Sequence, residues 1–445
     1  MTWDSDRALL EHGLRAGLAA VDGERVVRRA LAQGPEGLRV AGRLVPGGAQ
    51  VFVAAIGKAA FSMAQAAIDS LGPRVEGGVI VAPEDSRVQA APGFDVWIAA
   101  HPVPDERSAS AGTALLEFAN RLGSDDVLLV LLSGGASALT SCPLADMTVE
   151  DLSIAHRLLL ASGADITEIN CLRKHLTAVA GGRLARAASP AVVHVLAISD
   201  VPGDRYEVIG SGPCAPDPTR FAGARFILEQ YGLVSRMPAR VIRHLEAGEA
   251  GAQPESLAPE DPVFQSVSST IIACNADARR AARETLSSEV ECALDLGEVL
   301  SGEARAAGPS LIDRALRDAP EGRPCVVVAG GETVVAVRGA GQGGRNQELA
   351  LSAALAFEED QSGRVRGLLA VGTDGKDGPT SAAGGYVDRE SVSRARRAGL
   401  EPQRLLDEND SNRFLRTTDG IVSTGSTGTN VMDLAFVLLG PDPLR

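Results

Sequence analysis

Lysine, aromatic residues and long apolar runs are all scarce in this sequence. Of its 43 lysine and arginine residues only three are lysines, Lys58, Lys174 and Lys376, and aromatic residues make up 3%. No apolar run approaches the ~18 residues that a transmembrane helix needs, so we expect no membrane association. The net charge of −14 leaves no basic surface for nucleic acid, which we therefore exclude as a partner.

Cysteine and histidine are present without the spacing of metal or redox sites. The six cysteines include no CxxC pair, and the six histidines show no metal-binding spacing. This pattern favours reduced thiols in a cytoplasmic protein over disulfides or zinc. The N-terminal segment mixes charges with helical apolar spacing and does not look like a signal peptide, so a cytoplasmic location is expected.

Short apolar runs alternate with amphipathic stretches along most of the chain. Runs such as QVFVAAIG, DDVLLVLLSGG and AVVHVLAISD end in Gly, Ser or Asp, and a helical pattern follows each. Continuous apolar strands of this kind predict an α/β protein with parallel strands covered on both faces. Ligands of such sheets bind at the carboxyl ends of the strands.

The length of 445 residues suggests two or three domains. The most polar stretch, residues 245–268, is rich in Glu, Ala, Gly and Pro and is interpreted as a linker. We therefore predict α/β domains at 1–250 and 251–445. A single large domain with a surface loop is the alternative.

The first candidate loop is in LLVLLSGGASAL, where a buried strand leads through a glycine turn into a helix. Backbone N–H groups in such a turn, and the helix N-terminus behind it, favour an anion. The pattern matches neither GxGxxG nor the P-loop, and close packing alone is the alternative. The candidate residues are Ser133, Gly134, Gly135, Ala136 and Ser137.

The second candidate segment, EINCLRKHL, carries an amide and two cations. Asn170, Arg173 and Lys174 fall on one face of a predicted helix. They could hold an anionic ligand together. A solvated helix face is the alternative.

The third candidate segment, AISDVPGDRYEVIGSGP, follows a predicted strand with Asp200 and Asp204, and then Ser211 and Gly212. Two carboxylates at a strand end could hold a metal–phosphate complex or accept a hydroxyl proton. Turn-forming aspartates are the alternative, above all for Asp204 beside Gly203.

The C-terminal third contains three further glycine-framed polar loops. GGETVVAVRGAGQGGRNQEL places Arg345 at a helix start, and STGSTGTN is predicted to end a short strand before a final helix. The candidate residues in these loops are Glu332, Arg345, Asn346, Asp374, Thr427 and Asn430. Residues 339–344, GAGQGG, match GxGxxG as a string, but no acidic residue follows at the place that a ribose would require.

Taken together and in this order, these stretches resemble the glycerate 2-kinases, whose C-terminal part is called the MOFRL domain. The resemblance is carried by GKAAFSMA, LLSGGASAL, INCLRKHLTAVAGGRLA, SDVPGDRYEVIGSGP, GGETVVAVRGAGQGGRNQELAL, GTDGKDGPTSAAGG and STGSTGTNVMDL, and it covers nearly the whole chain. Two departures are Cys214, where threonine is common, and Ser426, where proline is common. Relatives in this family have often been labelled hydroxypyruvate reductases.

The resemblance implies a Rossmann-like N-terminal α/β/α sandwich with a mostly parallel sheet and a smaller, mixed α/β, MOFRL-like C-terminal domain. It implies ATP-dependent, Mg²⁺-assisted phosphorylation of the 2-hydroxyl of D-glycerate to 2-phosphoglycerate, in a cleft between the domains. Lys58 and Arg345 would flank the transferred phosphoryl group, and Asp200 would orient or deprotonate the hydroxyl. Mg²⁺ would be held by Asp200 and Asp204.

The remaining candidate residues would bind substrate or nucleotide. The resemblance does not show which domain holds the adenine, and the protein is expected to be a monomer or a homodimer. An NAD(P)H-dependent hydroxypyruvate reductase and a non-catalytic sensor of sugar acids are the alternative functions.

Overall fold

The structure is a computed structural model that describes residues 3–86 and 92–441. The chain divides into two compact units, one formed by Gly23–Ile272 and the other by the N-terminal segment to Asp22 together with the chain from Ala273 onward. These bounds differ from the predicted domains, because the N-terminal helix buries Leu10 and Leu14 within the second of these units.

Helices and strands alternate through both units. The helices are α1 (Trp3–Ala20), α2 (Gly23–Ala30), α3 (Ala60–Leu71), α4 (Glu106–Ala119), α5 (Ala136–Leu139), α6 (Val149–Leu160), α7 (Ile166–Leu176), α8 (Arg183–Ala188), α9 (Phe221–Gln230), α10 (Ala239–Glu249), α11 (Asn275–Leu286), α12 (Ala304–Asp318), α13 (Arg345–Glu359), α14 (Ser391–Arg397), α15 (Pro402–Asp407) and α16 (Ser411–Thr417). The strands are β1 (Leu31–Gly34), β2 (Gly37–Val40), β3 (Arg43–Leu44), β4 (Gln50–Ile56), β5 (Val75–Pro83), β6 (Phe94–Ala99), β7 (Asp126–Leu132), β8 (Val192–Ile198), β9 (Val267–Ala273), β10 (Cys292–Leu300), β11 (Cys325–Gly331), β12 (Val365–Gly372), β13 (Gly384–Asp388), β14 (Ile421–Val422) and β15 (Asp433–Leu439).

The Gly23–Ile272 unit is built on a doubly wound sheet with the strand order β6-β5-β4-β7-β8-β9. The strands from β6 to β8 run parallel to their neighbours. Residues 127–132 of β7 are all buried, so both faces of the sheet are covered. This confirms the predicted parallel α/β architecture. A small antiparallel sheet of β1, β2 and β3 belongs to the same unit.

The direction of chain winding reverses between β4 and β7. From β4 the chain proceeds outward through β5 and β6, and it then returns to place β7 and β8 on the other side of β4. In open α/β sheets such a switch point leaves a crevice at the carboxyl ends of the two strands, where ligands bind.

The stretch that was interpreted as a linker, residues 245–268, lies within this unit. Helix α10 continues to Glu249, a 3₁₀ turn covers Pro262–Ser266, and β9 then joins the edge of the sheet beside β8.

The other unit contains a mixed sheet with the order β10-β11-β15-β12-β13-β14. Strands β10 and β11 are parallel, whereas β15 is antiparallel to both β11 and β12. The prediction of a final helix after Asn430 was wrong, because DLAFVLL forms strand β15 in the middle of the sheet. All seven of its residues are buried, and a continuous apolar run suits a strand covered on both faces rather than an amphipathic helix.

The apolar run TVVAV does not extend β11 as a strand. Val334 and Val337 are 60% and 80% exposed, and Val334 forms only an isolated bridge to Glu303.

Across the described ranges, no helix is both long and apolar enough to cross a membrane. The six cysteines are free thiols.

Candidate functional site

Three predicted loops meet at neighbouring strand ends of the Gly23–Ile272 unit. Lys58 follows β4, residues 133–137 follow β7, and Asp200 follows β8, and these three strands are adjacent in the sheet. Their ends are in register, since Ile56 pairs with Leu132 and Leu132 pairs with Ala197. The first two loops therefore flank the switch point, and Asp200 lies on the next strand.

The loop after β4 is locked onto the glycine turn after β7. The backbone N–H of Lys58 donates to the carbonyl of Gly134 at 3.0 Å, and Ser133 Oγ accepts the N–H of Ala59 at 3.0 Å. A Cβ atom at Gly57 would overlap Ser133, and Gly57 has φ +122°, which other residues rarely adopt. Gly135 has φ +90°. Close backbone contact thus holds Lys58 beside the turn.

The helix behind the glycine turn is only one turn long. Helix α5 contains Ala136 and Ser137 in a four-residue span, so few peptide dipoles are aligned there. An anion at this turn would depend on the N–H groups of the turn itself rather than on a helix dipole.

A chain of side-chain hydrogen bonds joins this turn to the second and third candidate segments. Ser137 Oγ lies 2.5 Å from Ser211 Oγ, which donates to Asn170 Oδ1 at 2.8 Å. Asn170 Nδ2 in turn donates to the carbonyl of Val208 at 3.3 Å. Gly212, next to Ser211, adopts a left-handed conformation with φ +61°. Residues that are far apart in the sequence therefore form one polar wall.

Arg173 projects into a pocket beside this wall. Its Nη2 lies 3.0 Å from His156 Nε2, and its Nη1 donates weakly to Asn170 Oδ1 at 3.4 Å. Within the described part of the chain, Arg173 makes no ion pair with a carboxylate. Burial lowers the pKa of Arg173 to about 10, so the guanidinium stays charged at neutral pH. The polar residues of the pocket are Ser137, Thr140, Ser141, His156, Arg173, Thr177 and Ser211.

His156 is neutral in this environment. Burial is the main cause that lowers the pKa of His156 to about 3, and the positive charges of Arg173, His101 and Arg157 lower it further. A neutral imidazole can accept a hydrogen bond from Arg173, which an imidazolium cannot. Neither His156 nor Thr177 was identified from the sequence, because His156 stands alone in an apolar helical stretch and Thr177 only follows the end of α7.

Lys174 lies apart from Asn170 and Arg173. Its Nζ is 3.2 Å from Asp217 Oδ1, and both side chains are buried. Burial opposes ionisation of Asp217, but Lys174 and the hydrogen bonds from Ser256 and Thr219 outweigh it and keep the pKa of Asp217 below its ordinary value. Of the three residues that the sequence placed on one helix face, Asn170 and Arg173 therefore lie together. Lys174 instead forms an internal ion pair with Asp217.

Asp204 lies in a tight turn after β8, as the alternative interpretation predicted. It has φ +53° beside Gly203 at +72°, and its N–H donates to the carbonyl of Val201 at 3.0 Å. Its Oδ1 is buried and has no hydrogen-bond partner among the described residues.

In the other unit, Arg345 opens α13 and is held by carboxylates. Its Nε and Nη2 donate to the two oxygens of Asp433 at 2.6 and 2.8 Å, and Nη2 is 3.1 Å from Glu332. Burial alone would lower the pKa of Arg345, but Asp433 and Glu332 outweigh it and raise the pKa. The guanidinium is therefore permanently charged and fixed in orientation.

The N-terminus of α13 is occupied by a carboxylate of the chain itself. Asp377 accepts the backbone N–H groups of Asn346 and Gln347 at 3.0 and 2.9 Å. Asn346 also donates its side-chain amide to Asp433 at 3.0 Å. Burial, reinforced by the nearby charge of Asp433, raises the pKa of Asp377 despite these hydrogen bonds. The N–H groups of Asn346 and Gln347 are thus used within the chain.

The last two glycine-framed loops of this unit contact each other. Thr427 Oγ1 donates to the carbonyl of Thr373 at 2.6 Å, and the N–H of Thr427 donates to the carbonyl of Asp374 at 3.5 Å. Asn430 Oδ1 accepts the N–H of Met432 at 3.4 Å. Asp374 and Thr427 thus lie close together, and the hydroxyl of Thr427 joins the two loops.

A doubly wound sheet with a lysine and a glycine turn at its switch point, together with a unit built on a mixed sheet, defines a two-unit α/β protein with a candidate ligand site at the strand ends. Residues 9–246 match a family model described as a domain of unknown function, DUF4147, and residues 325–433 match the MOFRL family. The chain is 38% identical to a D-glycerate 2-kinase from Thermotoga maritima, over 88% of this chain and 91% of the relative.

Two further proteins match this chain over nearly its whole length. A putative hydroxypyruvate reductase from Agrobacterium vitis is 37% identical over 99% of this chain and 96% of its own. A crystal structure of a glycerate kinase from Thermotoga maritima superposes with a TM-score of 0.80 at 36% identity, covering 98% of this chain and 100% of that chain. The chain belongs to the glycerate 2-kinase family of enzymes, with a MOFRL region at its C-terminal end.

Proposed function

We propose that this protein is an ATP-dependent kinase that phosphorylates the 2-hydroxyl of D-glycerate to give 2-phosphoglycerate. The observation that carries the proposal is the placement of Lys58 and residues 133–137 on either side of the switch point, with Asp200 on the adjacent strand. Phosphoryl transfer needs a positioned cation, backbone donors and a group that orients the attacking hydroxyl, and these loops supply each of them.

Each group has a defined role in this proposal. The ammonium of Lys58 balances negative charge on the transferred phosphoryl group, and the N–H groups of residues 134–137 donate to its oxygens, since the N–H of Ser133 donates to the carbonyl of Ile56. Asp200 orients the 2-hydroxyl and accepts its proton as the new O–P bond forms, while ADP leaves with the electrons of the broken bond. Arg345 supplies a second cation, and Glu332 and Asp374 contact substrate or nucleotide.

Mg²⁺ fits the donors at the end of β8. No group of three or more potential ligands occurs among the residues the structure describes. Mg²⁺ in nucleotide-dependent enzymes is usually bound by one or two carboxylates together with phosphate oxygens, so a full protein cage is not required. Asp200 and Asp204 would hold the ion, and the unpaired buried Oδ1 of Asp204 suits such a ligand. The bound ion would neutralise charge on the nucleotide phosphates.

A reductase is the second function to test, because the Agrobacterium vitis relative is named a putative hydroxypyruvate reductase. The only dinucleotide-like string noted in the sequence, GAGQGG, does not suit that role. GAGQGG follows an exposed irregular segment rather than a strand. Cβ atoms at Gly339 and Gly341 would overlap the backbone near Glu408, so these glycines permit close packing. A dinucleotide fingerprint requires a strand immediately before the glycine turn.

One pair of assays tests the proposal. The purified protein is incubated with D-glycerate and MgATP, and separately with hydroxypyruvate and NADH or NADPH. ADP release and ³¹P NMR of the product, which distinguishes 2- from 3-phosphoglycerate, are expected to show 2-phosphoglycerate. Nicotinamide oxidation without ADP release would overturn the proposal.

A further inference from the structure

The pocket around Arg173 contains a partly buried cation without an anionic partner among the described residues. Arg173 is the only charged residue among those that line the pocket, and no carboxylate of the described residues pairs with it. We propose that this pocket binds the carboxylate of the hydroxy-acid acceptor, with Arg173 as its partner and His156 as a positioning residue. This inference rests on the proposed function and assigns the subsite that selects an acid over a neutral polyol.

The charge of the pocket suits a carboxylate better than a phosphate. One guanidinium matches one negative charge, whereas a phosphate monoester carries close to two. The rest of the lining is apolar or neutral, including Leu152, Leu159 and Val179, so an excess negative charge would be poorly solvated. A planar carboxylate also fits the fork of an arginine, which can donate to both oxygens.

Two polar atoms of the pocket lack partners within the described part of the chain. Arg173 Nε and Thr177 Oγ1 are both buried and make no hydrogen bond, and Thr177 as a whole is only 7% exposed. Unsatisfied buried donors are costly and rare in folded proteins. A carboxylate bound here would accept from both atoms.

His156 contacts the guanidinium at Arg173 Nη2. Its ring nitrogens lie 3.3 and 3.0 Å from Arg173 Nη2, and its side chain is buried. The charged groups that act on it are cationic, namely Arg173 on α7, His101, and Arg157 on its own helix. A neutral imidazole therefore fixes Arg173 without neutralising its charge, which leaves that charge for the ligand.

The pocket adjoins the segment that follows β7. Ser137 lines the pocket and also ends the turn that contacts Lys58 through Gly134. An acid anchored at Arg173 therefore lies beside that turn.

Binding measurements test the assignment without turnover. Isothermal titration calorimetry of the full chain with D-glycerate and with its neutral analogue D-glyceramide should show at least tenfold preference for the acid. Arg173→Gln should weaken D-glycerate binding about 100-fold and abolish the preference for the acid, because a charge-assisted pair is lost. Arg236→Gln, at an exposed arginine of the same unit away from the pocket lining, is the matched control and should bind like the wild type.

Two further variants keep the test decisive if Arg173→Gln does not fold. Thr177→Val removes an unpaired hydroxyl at constant shape and should weaken D-glycerate binding three- to tenfold without loss of stability. His156→Asn should raise the Michaelis constant for D-glycerate with little change in turnover. Unchanged D-glycerate affinity in the folded variants would overturn the inference.

The outcomes separate this inference from the proposed function. Kinase activity with unchanged D-glycerate affinity in Arg173→Gln and Thr177→Val would overturn the inference alone. Arg173-dependent binding of D-glycerate without phosphorylation would overturn the proposed function alone. Weaker binding of inorganic phosphate or MgADP to Arg173→Gln, with D-glycerate unaffected, would assign the pocket to a phosphate group and overturn the carboxylate assignment.

Discussion

The three lysines of this chain occupy three different environments. Lys376 is exposed, Lys174 is buried against Asp217, and Lys58 is partly buried at the carboxyl end of β4. Only Lys58 lies next to the glycine turn at the switch point. A compact ammonium on a flexible stem can follow a moving phosphoryl group, whereas a guanidinium forms a rigid fork.

Replacement of Lys58 should therefore reduce catalysis more than binding. Lys58→Ala and Lys58→Arg should each lower kcat by about 10²–10³-fold, since a placed charge of this kind acts mainly on the transition state. Steady-state kinetics would measure this, with circular dichroism as a check of folding. Lys376→Arg is the matched control and should leave kcat near the wild-type value. Near wild-type activity of Lys58→Arg would show that Lys58 is an ordinary surface cation.

Arg345 combines a structural contact with its proposed catalytic role. Its guanidinium compensates Asp433, which is buried, so removal of Arg345 leaves an uncompensated carboxylate. Breaking a buried ion pair in this way costs about 3–5 kcal/mol of unfolding free energy. Loss of activity in Arg345→Ala alone would not separate catalysis from stability.

A double variant separates the two roles of Arg345. Arg345→Ala should lower kcat by several orders of magnitude with a modest change in the Michaelis constant for D-glycerate. Arg345→Ala/Asp433→Asn should recover most of the lost stability, measured by chemical denaturation, but none of the lost kcat. Recovery of kcat together with stability would show that Arg345 only supports the fold.

At the scale of elements, α7 directs two adjacent basic residues to different places. Consecutive residues of a helix are separated by about 100° around its axis. Arg173 accordingly reaches the pocket and His156, whereas Lys174 reaches Asp217 in the interior. Sequence spacing alone does not show which of the two faces a ligand.

Removal of Lys174 should therefore affect stability and not substrate binding. Lys174→Met should lower the unfolding free energy by about 3–5 kcal/mol, because Asp217 is left buried and unpaired. Lys174→Met/Asp217→Asn should recover a large part of this loss. Chemical denaturation gives the stability, and the Michaelis constant for D-glycerate should stay within about twofold of the wild type. A tenfold increase in that constant at unchanged stability would instead make Lys174 a substrate ligand.

At the scale of the whole molecule, His156 links stability to pH. The folded protein keeps His156 neutral until pH is near its pKa of about 3, whereas the unfolded chain protonates it below about 6.5. Between these values the folded state binds fewer protons than the unfolded state, so stability rises with pH. The contribution of His156 is present above pH 6.5 and is lost as pH falls.

Denaturation at two pH values measures this contribution. From pH 7.5 to 5.5 the wild type should lose about 1.4 kcal/mol more unfolding free energy than His156→Asn. Fluorescence in a Trp3→Phe background would report on Trp97, which is in the same unit as His156. Equal losses in the two proteins would mean that His156 is not held neutral in the folded state.

Much of the architecture follows from local patterns in the sequence. Apolar runs of strand length with polar glycine-rich ends predicted β4, β7 and β8 and the loops that carry Lys58, Ser133 and Asp200. Parallel strands put these ends at one edge of the sheet, so the grouping of the loops could be inferred as well. The motifs between strands also carried the family resemblance.

Tertiary structure alone decided which distant residues meet. The pairing of Arg345 with Asp433, 88 residues apart, depends on the insertion of β15 between β11 and β12, which no local pattern specifies. The pairing of Arg173 with His156 likewise depends on how α6 packs near α7. Periodicity determines helices, strands and their buried faces, because it reflects local backbone geometry. Which residues pair with a given charged side chain depends on strand order and helix packing. These are determined by how all the apolar faces of the chain are buried together.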